Sequence, residues 1–521
     1  MNSLARFLIA GAVIMVVNSS AASAAPMGAH PGPGLYATRA FVRYVHTPPR
    51  PPAPTVRITT ADRMRAMAGG WQPIAARSLF GPNGAGTPIL MTDGTVMVQD
   101  NEWSWFSLTP DQNGDYRKGT WALKSFLPAG YAPLYYGSAV LPDGKLIVNG
   151  GEYNFLQGPL EINLGAIYDP VTNRWTSVSP PSGWSEIGDA SSVVLPDGTY
   201  MLGNCCYGSQ ALLSEGPMTW SMTGLGKADP NSEEGWTLLP NGKVLTADVF
   251  NAPNSELYDP STGSWASAGS LPVNLINGDE IGPQILRPDG TVFVAGANQH
   301  TAIYNIHNGQ WAAGPDFPVV SGQQLDVADG PAALLPNGSV LVAASPGVYH
   351  PPTSMLIFDG TKFTTIAGPP NEPNVPSYAV RLLVLPTGQV LETDSSDDVE
   401  IYTPNAAPYP NIAPTISSVP TTLTHGNTYK ISGKRFNGVS QANAYGDDVQ
   451  EATNFPLVRI RNDATGHVFY ARTHNHSFMG VASQATVSTM FDVPPTIELG
   501  ASMLEVVANG IHSRPVNVMV N

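Results

Sequence analysis

A short phrase recurs about every fifty residues along this chain and constrains its fold more than any other feature. It places largely apolar residues before proline, then aspartate or asparagine, then glycine. The copies are Val140-Leu141-Pro142-Asp143-Gly144, Val194-Leu195-Pro196-Asp197-Gly198, Leu238-Leu239-Pro240-Asn241-Gly242, Leu286-Arg287-Pro288-Asp289-Gly290, Leu334-Leu335-Pro336-Asn337-Gly338 and Val384-Leu385-Pro386-Thr387-Gly388. A degenerate copy, Leu90-Met91-Thr92-Asp93-Gly94, precedes them. With Thr92 in the proline position the successive steps are 50, 54, 44, 48, 48 and 50 residues. Repeats of this length built from short strands and tight turns predict a ring of sheets, a β-propeller, with one blade per repeat. Such a ring gathers one loop from every blade at the mouth of its central channel.

Within each repeat the order is constant. A strand comes after the Asp-Gly turn, and the next ends in a Tyr-Asp-Pro type phrase, as in Ile167-Tyr168-Asp169-Pro170 and Leu257-Tyr258-Asp259-Pro260. A further strand then opens on an aromatic: Trp175, Trp220, Trp265, Trp311 or Phe363. This order predicts four short antiparallel strands per blade, in a kelch-type array of seven blades. The seventh copy lacks its last strand, because Thr403-Pro404 leads into a Pro/Asn-rich linker. Gly70-Trp71, ahead of the first copy, supplies that strand, so the N-terminal end of the array is expected to close the ring.

The propeller is assigned to residues 58–404. Residues 412–521 carry alternating strands such as Tyr429 to Ser432 and Leu457 to Ile460, and predict an immunoglobulin-like β-sandwich of the early-set kind. Residues 1–24 read as an export signal: Arg6, an apolar stretch from Phe7 to Val17, and Ala22-Ser23-Ala24 as a small-residue cleavage site. Residues 25–57 form a Pro/Ala-rich lead-in. No later run reaches the roughly 20 apolar residues of a membrane span, so a secreted or periplasmic protein is expected. The formal charge of −15 opposes nucleic-acid binding, which depends on neutralising phosphates. The only cysteines, Cys205 and Cys206, are adjacent; a vicinal disulfide and two small core residues are both open readings.

Counting back seven or eight residues from each repeat proline reaches the entry of the inner strand, at the channel mouth. The residues there are Tyr135, Asp189, Glu233 beside Glu234, Glu280 beside Asp279, Asp329 and Tyr378. Equivalent positions of a ring converge, which predicts a carboxylate cluster at the mouth. Like charges that close share protons or hold a cation such as calcium, which takes oxygen ligands. Thr473-His474-Asn475-His476 in the C-terminal region places two histidines on the same side of a strand, a spacing that suits a metal.

A secreted seven-bladed kelch array followed by a sandwich with a histidine phrase resembles the copper-radical oxidases, the galactose oxidase and glyoxal oxidase family. The resemblance spans nearly everything after the lead-in. It implies copper held by two tyrosines and two histidines, with one tyrosine cross-linked to a cysteine. By motif the cross-linked tyrosine falls on Tyr135, ahead of Ser138-Ala139 and Asp143-Gly144, the axial tyrosine on Tyr378 and the sandwich histidine on His474. The residue after the axial tyrosine, a histidine in the family, is Ala379; the cross-linking cysteine has no counterpart in Gly84-Ala85-Gly86-Thr87-Pro88. His476 is the candidate for the vacant ligand position. These departures predict an enzyme on the oxidase scaffold with altered chemistry. Asp189, Glu233, Glu280 and Asp329, with Tyr135 and Tyr378, would act on a carbohydrate or polyol, and copper or calcium is the cofactor to test. A copper-dependent alcohol or aldehyde oxidase, and a glycan- or cation-binding propeller without turnover, are the alternatives.

Overall fold

The computed structural model describes residues 58–76, 79–81, 83–446 and 451–521, so the expected export signal and lead-in lie outside the described residues. Among the described residues no helix is long and apolar enough to cross a membrane.

The repeated turn has a local cause. The glycines Gly94, Gly144, Gly198, Gly242, Gly290, Gly338 and Gly388 all have φ between +76° and +92°, where a Cβ costs about 1–2 kcal/mol. The preceding Asp93, Asp143, Asp197, Asn241, Asp289 and Asn337 each accept the backbone N–H two residues on through Oδ1, at 2.9–3.1 Å. Each turn joins the inner strand of a blade to its second strand.

Seven antiparallel blades result. Their inner strands are Pro88–Leu90, Gly137–Val140, Ser192–Val194, Thr237–Leu238, Ile281–Leu286, Ala332–Leu334 and Arg381–Val384, blades 1 to 7 in order. The recurring aromatics are cross-strand partners of the third and fourth strands: Tyr168 faces Trp175 at 5.2 Å, Tyr258 faces Trp265 at 5.4 Å and Tyr304 faces Trp311 at 5.0 Å between ring centroids. Blade 7 takes its outer strand from the other end of the array, as the sequence predicts. Trp71–Pro73 pairs antiparallel with Glu400–Tyr402, and Trp71 is fully buried. Its ring lies 5.1 Å from that of Tyr402, and its indole N–H donates to the Ala367 carbonyl at 2.7 Å. The short helix Thr60–Ala68, opened by a Thr59/Asp62 capping box, precedes this strand and sends Arg63 to Asp398 at 3.2 Å.

The C-terminal region is a separate β-structure. Strands Thr415–Ser418, Thr428–Lys434, Val487–Asp492 and Val468–His474 pair in that order, and Val468–His474 also pairs with Leu457–Asn462. Gly500–Ala508 and Val516–Val520 continue the sheet from there. Alternate residues Val458, Ile460, Leu504 and Val506 meet Ile431 and Phe491 in its own core. This domain sits on the Asp-Gly turns: Thr473, His476 and Met479 donate backbone N–H groups to the Thr92, Pro142 and Pro196 carbonyls at 3.0–3.1 Å.

One segment of the C-terminal region enters the channel. Asn443–Ala444 pairs antiparallel with the inner strand of blade 6, at Ala333 and Ala332. Nearby, the Gln441 side-chain carbonyl accepts the Leu238 N–H of blade 4 at 2.7 Å, and the Asn443 side-chain carbonyl accepts the Val384 N–H of blade 7 at 2.8 Å. Inner-strand edges that face one another across the ring are thus paired by the chain itself.

Ring closure through Trp71 makes the propeller one cooperative unit. Trp71→Ala is expected to cost about 3–5 kcal/mol and to lower the single melting transition of the whole array, read by circular dichroism and tryptophan fluorescence together. A loss confined to a minor early transition would show that the ring closes without this strand.

Candidate active site

Each inner strand starts at the open face of the ring and ends at its Asp-Gly turn, so the residues preceding these strands surround the mouth. Their backbone repeats as well as their position. Gly84, Tyr135, Gly188, Glu233, Asp279 and Asp329 have φ of +70°, +54°, +70°, +60°, +70° and +48°. Four of the six carry side chains, at a cost of order 1–3 kcal/mol each, and such strain clusters at functional sites.

Three of the expected acids converge. Carboxylate oxygens of Glu233, Glu280 and Asp329, from blades 4, 5 and 6, lie within 4.8 Å of one another. Glu280 and Asp329 are buried and Glu233 is half-buried. Glycine is required beside them, since a Cβ on Gly446 of the channel segment would stand 2.6 Å from Asp329 Oδ1. The Tyr349 hydroxyl donates to Glu280 Oε1. Burial, then the charges of Asp329, Glu280 and Glu233, push the Tyr349 phenol far above its ordinary value, so it stays a protonated donor.

Asp189 does not join this trio. It faces the other side of the mouth, where burial and then Glu152, Asp189, Tyr378 and Glu161 raise the Tyr153 phenol. Blade 3 gives its left-handed position to Gly188, directly before Asp189. Next to Gly188, Cys205 and Cys206 form a vicinal disulfide, with Cys205 Sγ 3.6 Å from Glu161 Oε2.

Tyr135 and Tyr378 come together in one buried aromatic cluster with Leu134 and Tyr153, against which Tyr349 packs. The Tyr378 and Tyr349 rings meet edge-on at 5.1 Å, as do Tyr135 and Tyr153 at 5.9 Å. Burial raises the Tyr378 phenol. Arg381 ties the cluster to the channel segment: its guanidinium lies 3.7 Å from the Tyr445 ring centroid and 5.7 Å from that of Tyr135, and donates to the Tyr378 carbonyl at 2.7 Å. Tyr445 donates to the same carbonyl at 2.7 Å.

The two histidines lie elsewhere, a correction to the expected metal set of Tyr135, Tyr378, His474 and His476. His474 bonds Asp492 at 3.1 Å, and His476 is buried against Phe455 with Nδ1 2.9 Å from the Thr489 hydroxyl. His474 ends the strand seated on the Asp-Gly turns and His476 lies two residues beyond it, at the opposite end of the inner strands from the tyrosines. Six residues of extended chain separate Tyr135 from Leu141, roughly 20 Å at about 3.3 Å per residue. The segment that does reach the mouth, 441–446, carries Tyr445 and no histidine.

Tyr153, Tyr349, Arg381 and Tyr445 were not among the residues the sequence singled out. A signal existed for two of them. Tyr153 and Tyr349 sit in the links between second and third strands of blades 2 and 6, residues 150–164 and 345–353, which are longer than residues 100–104 of blade 1 or 297–300 of blade 5. Long links in a repeat array mark functional loops.

No family model matches the chain. Among characterised proteins it is similar to N-acetylneuraminate epimerase of Haemophilus influenzae (strain 86-028NP), 26% identical over 215 residues, 39% of this chain and 54% of that protein. It is also similar to Kelch-like protein terF of Aspergillus terreus, 31% identical over 162 residues, 30% of this chain and 32% of that protein. The matches therefore span about half and a third of those proteins' lengths. Among solved structures it is similar to a fungal alcohol oxidase of the AA5 family in complex with copper, with a TM-score of 0.50 and 17% identity over 87% of this chain and 99% of that one. The likeness to that oxidase lies in the fold, a kelch-like seven-bladed propeller followed by further β-structure.

Burial holds the His476 imidazole down to about 3, so it is neutral in the folded state and protonates in the unfolded chain below about 6.5. The unfolded state then binds the extra proton, and stability falls with pH from about 6.5 downward, by up to about 1.4 kcal/mol per unit. Chemical denaturation at pH 7 and pH 5 should show this loss in the wild type and a smaller one in His476→Gln. Equal losses would place the acid sensitivity elsewhere.

Proposed function

We propose that the protein is an exported enzyme that uses the carboxylate trio at the propeller mouth for acid–base chemistry on a carbohydrate or polyol. The convergence of Glu233, Glu280 and Asp329 beneath Tyr349 carries this reading. Three carboxyl groups gathered within 4.8 Å can divide the roles of acid and base on adjacent hydroxyl-bearing carbons. Tyr349, kept protonated, fixes the Glu280 carboxylate by hydrogen bonding and so orients the trio toward a substrate in the mouth. Asp189 and Tyr153 on the facing wall offer hydroxyl-binding groups. In this reading residues 1–24 direct export, residues 58–404 form the catalytic propeller, and residues 412–521 are an immunoglobulin-like sandwich that holds the turns and delivers the channel segment.

Copper enters the comparison through the scaffold. Tyr135 and Tyr378 are the phenols the resemblance assigns to it, and their shared buried cluster favours a second reading, an alcohol or aldehyde oxidase. The donor set opposes it. With His474 and His476 at the far face and Ala379 beside Tyr378, the groups gathered with the two tyrosines are phenols and carboxylates, which suit hard cations better than imidazole-rich sites do, and the histidine near them in sequence is the exposed His350.

Glu280→Gln and Asp329→Asn are each expected to lower turnover about 100- to 10,000-fold while leaving the melting temperature within a few degrees. The assay is a panel of sugars, sugar acids and polyols followed by mass change and by peroxide release. Peroxide formation that requires copper and Tyr135 would establish the oxidase reading. Retained binding of a glycan without turnover in the wild type would establish a binding propeller.

A further inference from the structure

Glu233 points to the mouth, and its neighbour Glu234 points the other way, into blade 4. There it meets a second acidic group away from the proposed active site. Oxygens of Asp229, Glu234 and Asp248 lie within 4.8 Å of one another. All three residues are buried, at 2%, 0% and 2% exposure, and Glu256 beside them is at 3%. One cation serves these four carboxylates. The Lys227 ammonium bonds Glu234 at 3.0 Å and Glu256 at 2.6 Å, with its charge over the Trp265 ring.

The remaining hydrogen bonds show which oxygens are committed. Glu256 accepts the Ala228 and Asp229 N–H groups at 2.9 and 3.3 Å, and Glu234 Oε1 accepts the Trp236 indole at 3.0 Å. Asp229 Oδ2 accepts the Val249 and Phe250 N–H groups, and Asp248 Oδ2 accepts the Asn251 amide at 2.9 Å. Asp229 Oδ1 and Asp248 Oδ1 remain, fully enclosed and with no partner in the protein. A buried carboxylate oxygen without a donor carries a large desolvation cost. Two such oxygens, on residues whose carboxylates gather with that of Glu234 within 4.8 Å and with one lysine beside four acids, call for a further positive charge.

We infer that Asp229, Glu234 and Asp248 form a binding site for a hard divalent cation, calcium by its all-oxygen donors, which locks the loop carrying Glu233. Hard cations take carboxylate oxygens without strict geometry in the calcium case, whereas magnesium demands near-ideal octahedra. The ion brings the four-carboxylate, one-lysine group from a formal −3 to −1. Burial, in its absence, raises Glu234 to about 8 and Asp248 to about 7, so protons compete for the same oxygens near neutrality. The site ties residues 227–236, which link blades 3 and 4, to the Asp248–Asn251 turn of blade 4. Because Glu233 and Glu234 are adjacent, holding the one side chain fixes the direction of the other. The inference stands whether the mouth is catalytic or not.

The test uses the full chain, purified in chelator and reloaded with calcium alone. Metal analysis after desalting is expected to find a bound calcium ion, and calcium loading should raise the melting temperature. Terbium in place of calcium should emit on tryptophan excitation through Trp236. That emission should vanish in Asp248→Asn and in Asp229→Asn and persist in Glu280→Gln, whose carboxylate belongs to the mouth. Should the asparagine variants fail to fold, the wild type still decides. No retained calcium, or terbium emission that Glu280→Gln abolishes, would overturn the assignment; protons alone would then be what balances the acids.

Discussion

The architecture depends on how seven inner strands dispose of their unpaired edges. A blade pairs its inner strand on one side only, and the other side faces the channel. In this chain residues 441–444 enter the channel and bond blades 4, 6 and 7 through Gln441, Asn443 and the Asn443–Ala444 bridge. An edge left bare inside protein would strand backbone donors at a cost of about 1–3 kcal/mol each. The same insertion places Tyr445 and Gly446 at the mouth, so one solution to a backbone problem also sets the floor of the site.

Much of the fold was legible because the repeat writes its own physics. The Asp-Gly turn needs a left-handed residue and a side-chain acceptor, and both are visible as letters at fixed offsets. Ring closure by Trp71 was legible from a missing aromatic strand after Thr403. The site was legible only as far as the same periodicity reaches. It brings together Glu233 and Asp329, each on the left-handed rung of its blade, and Glu280, one residue past the left-handed Asp279. Asp189 follows the left-handed Gly188 just as Glu280 follows the left-handed Asp279, so the rung alone does not separate the acid that joins the trio from the one that does not.

What periodicity cannot show is which non-repeated segment fills the channel. Histidines at i and i+2 drew attention to 474 and 476, yet the chain spends them at the opposite face. There one bonds Asp492 and the other is buried against Phe455 and the Pro142 carbonyl. The segment that enters instead reads Gln441-Ala442-Asn443-Ala444-Tyr445-Gly446, small residues and amides with no conspicuous chemistry. Its fitness is steric. Asp329 leaves no room for a Cβ at 446, and inner-strand N–H groups require side-chain carbonyls at 441 and 443.

This division also explains why the scaffold and its chemistry separate. The two tyrosines are placed by the ring, through Arg381 and the rungs before two inner strands, and the channel segment adds Tyr445, against Arg381 and the Tyr378 carbonyl. The channel segment and the position after Tyr378 carry no histidine, and the link of blade 6 carries His350 beside Tyr349. The propeller therefore keeps the geometry of its rungs whatever the segment delivers. In this chain the rungs and their direct neighbours carry the acids, so the reactive groups belong to the repeat, and left-handed backbone at Tyr135, Glu233, Asp279 and Asp329 marks those rungs.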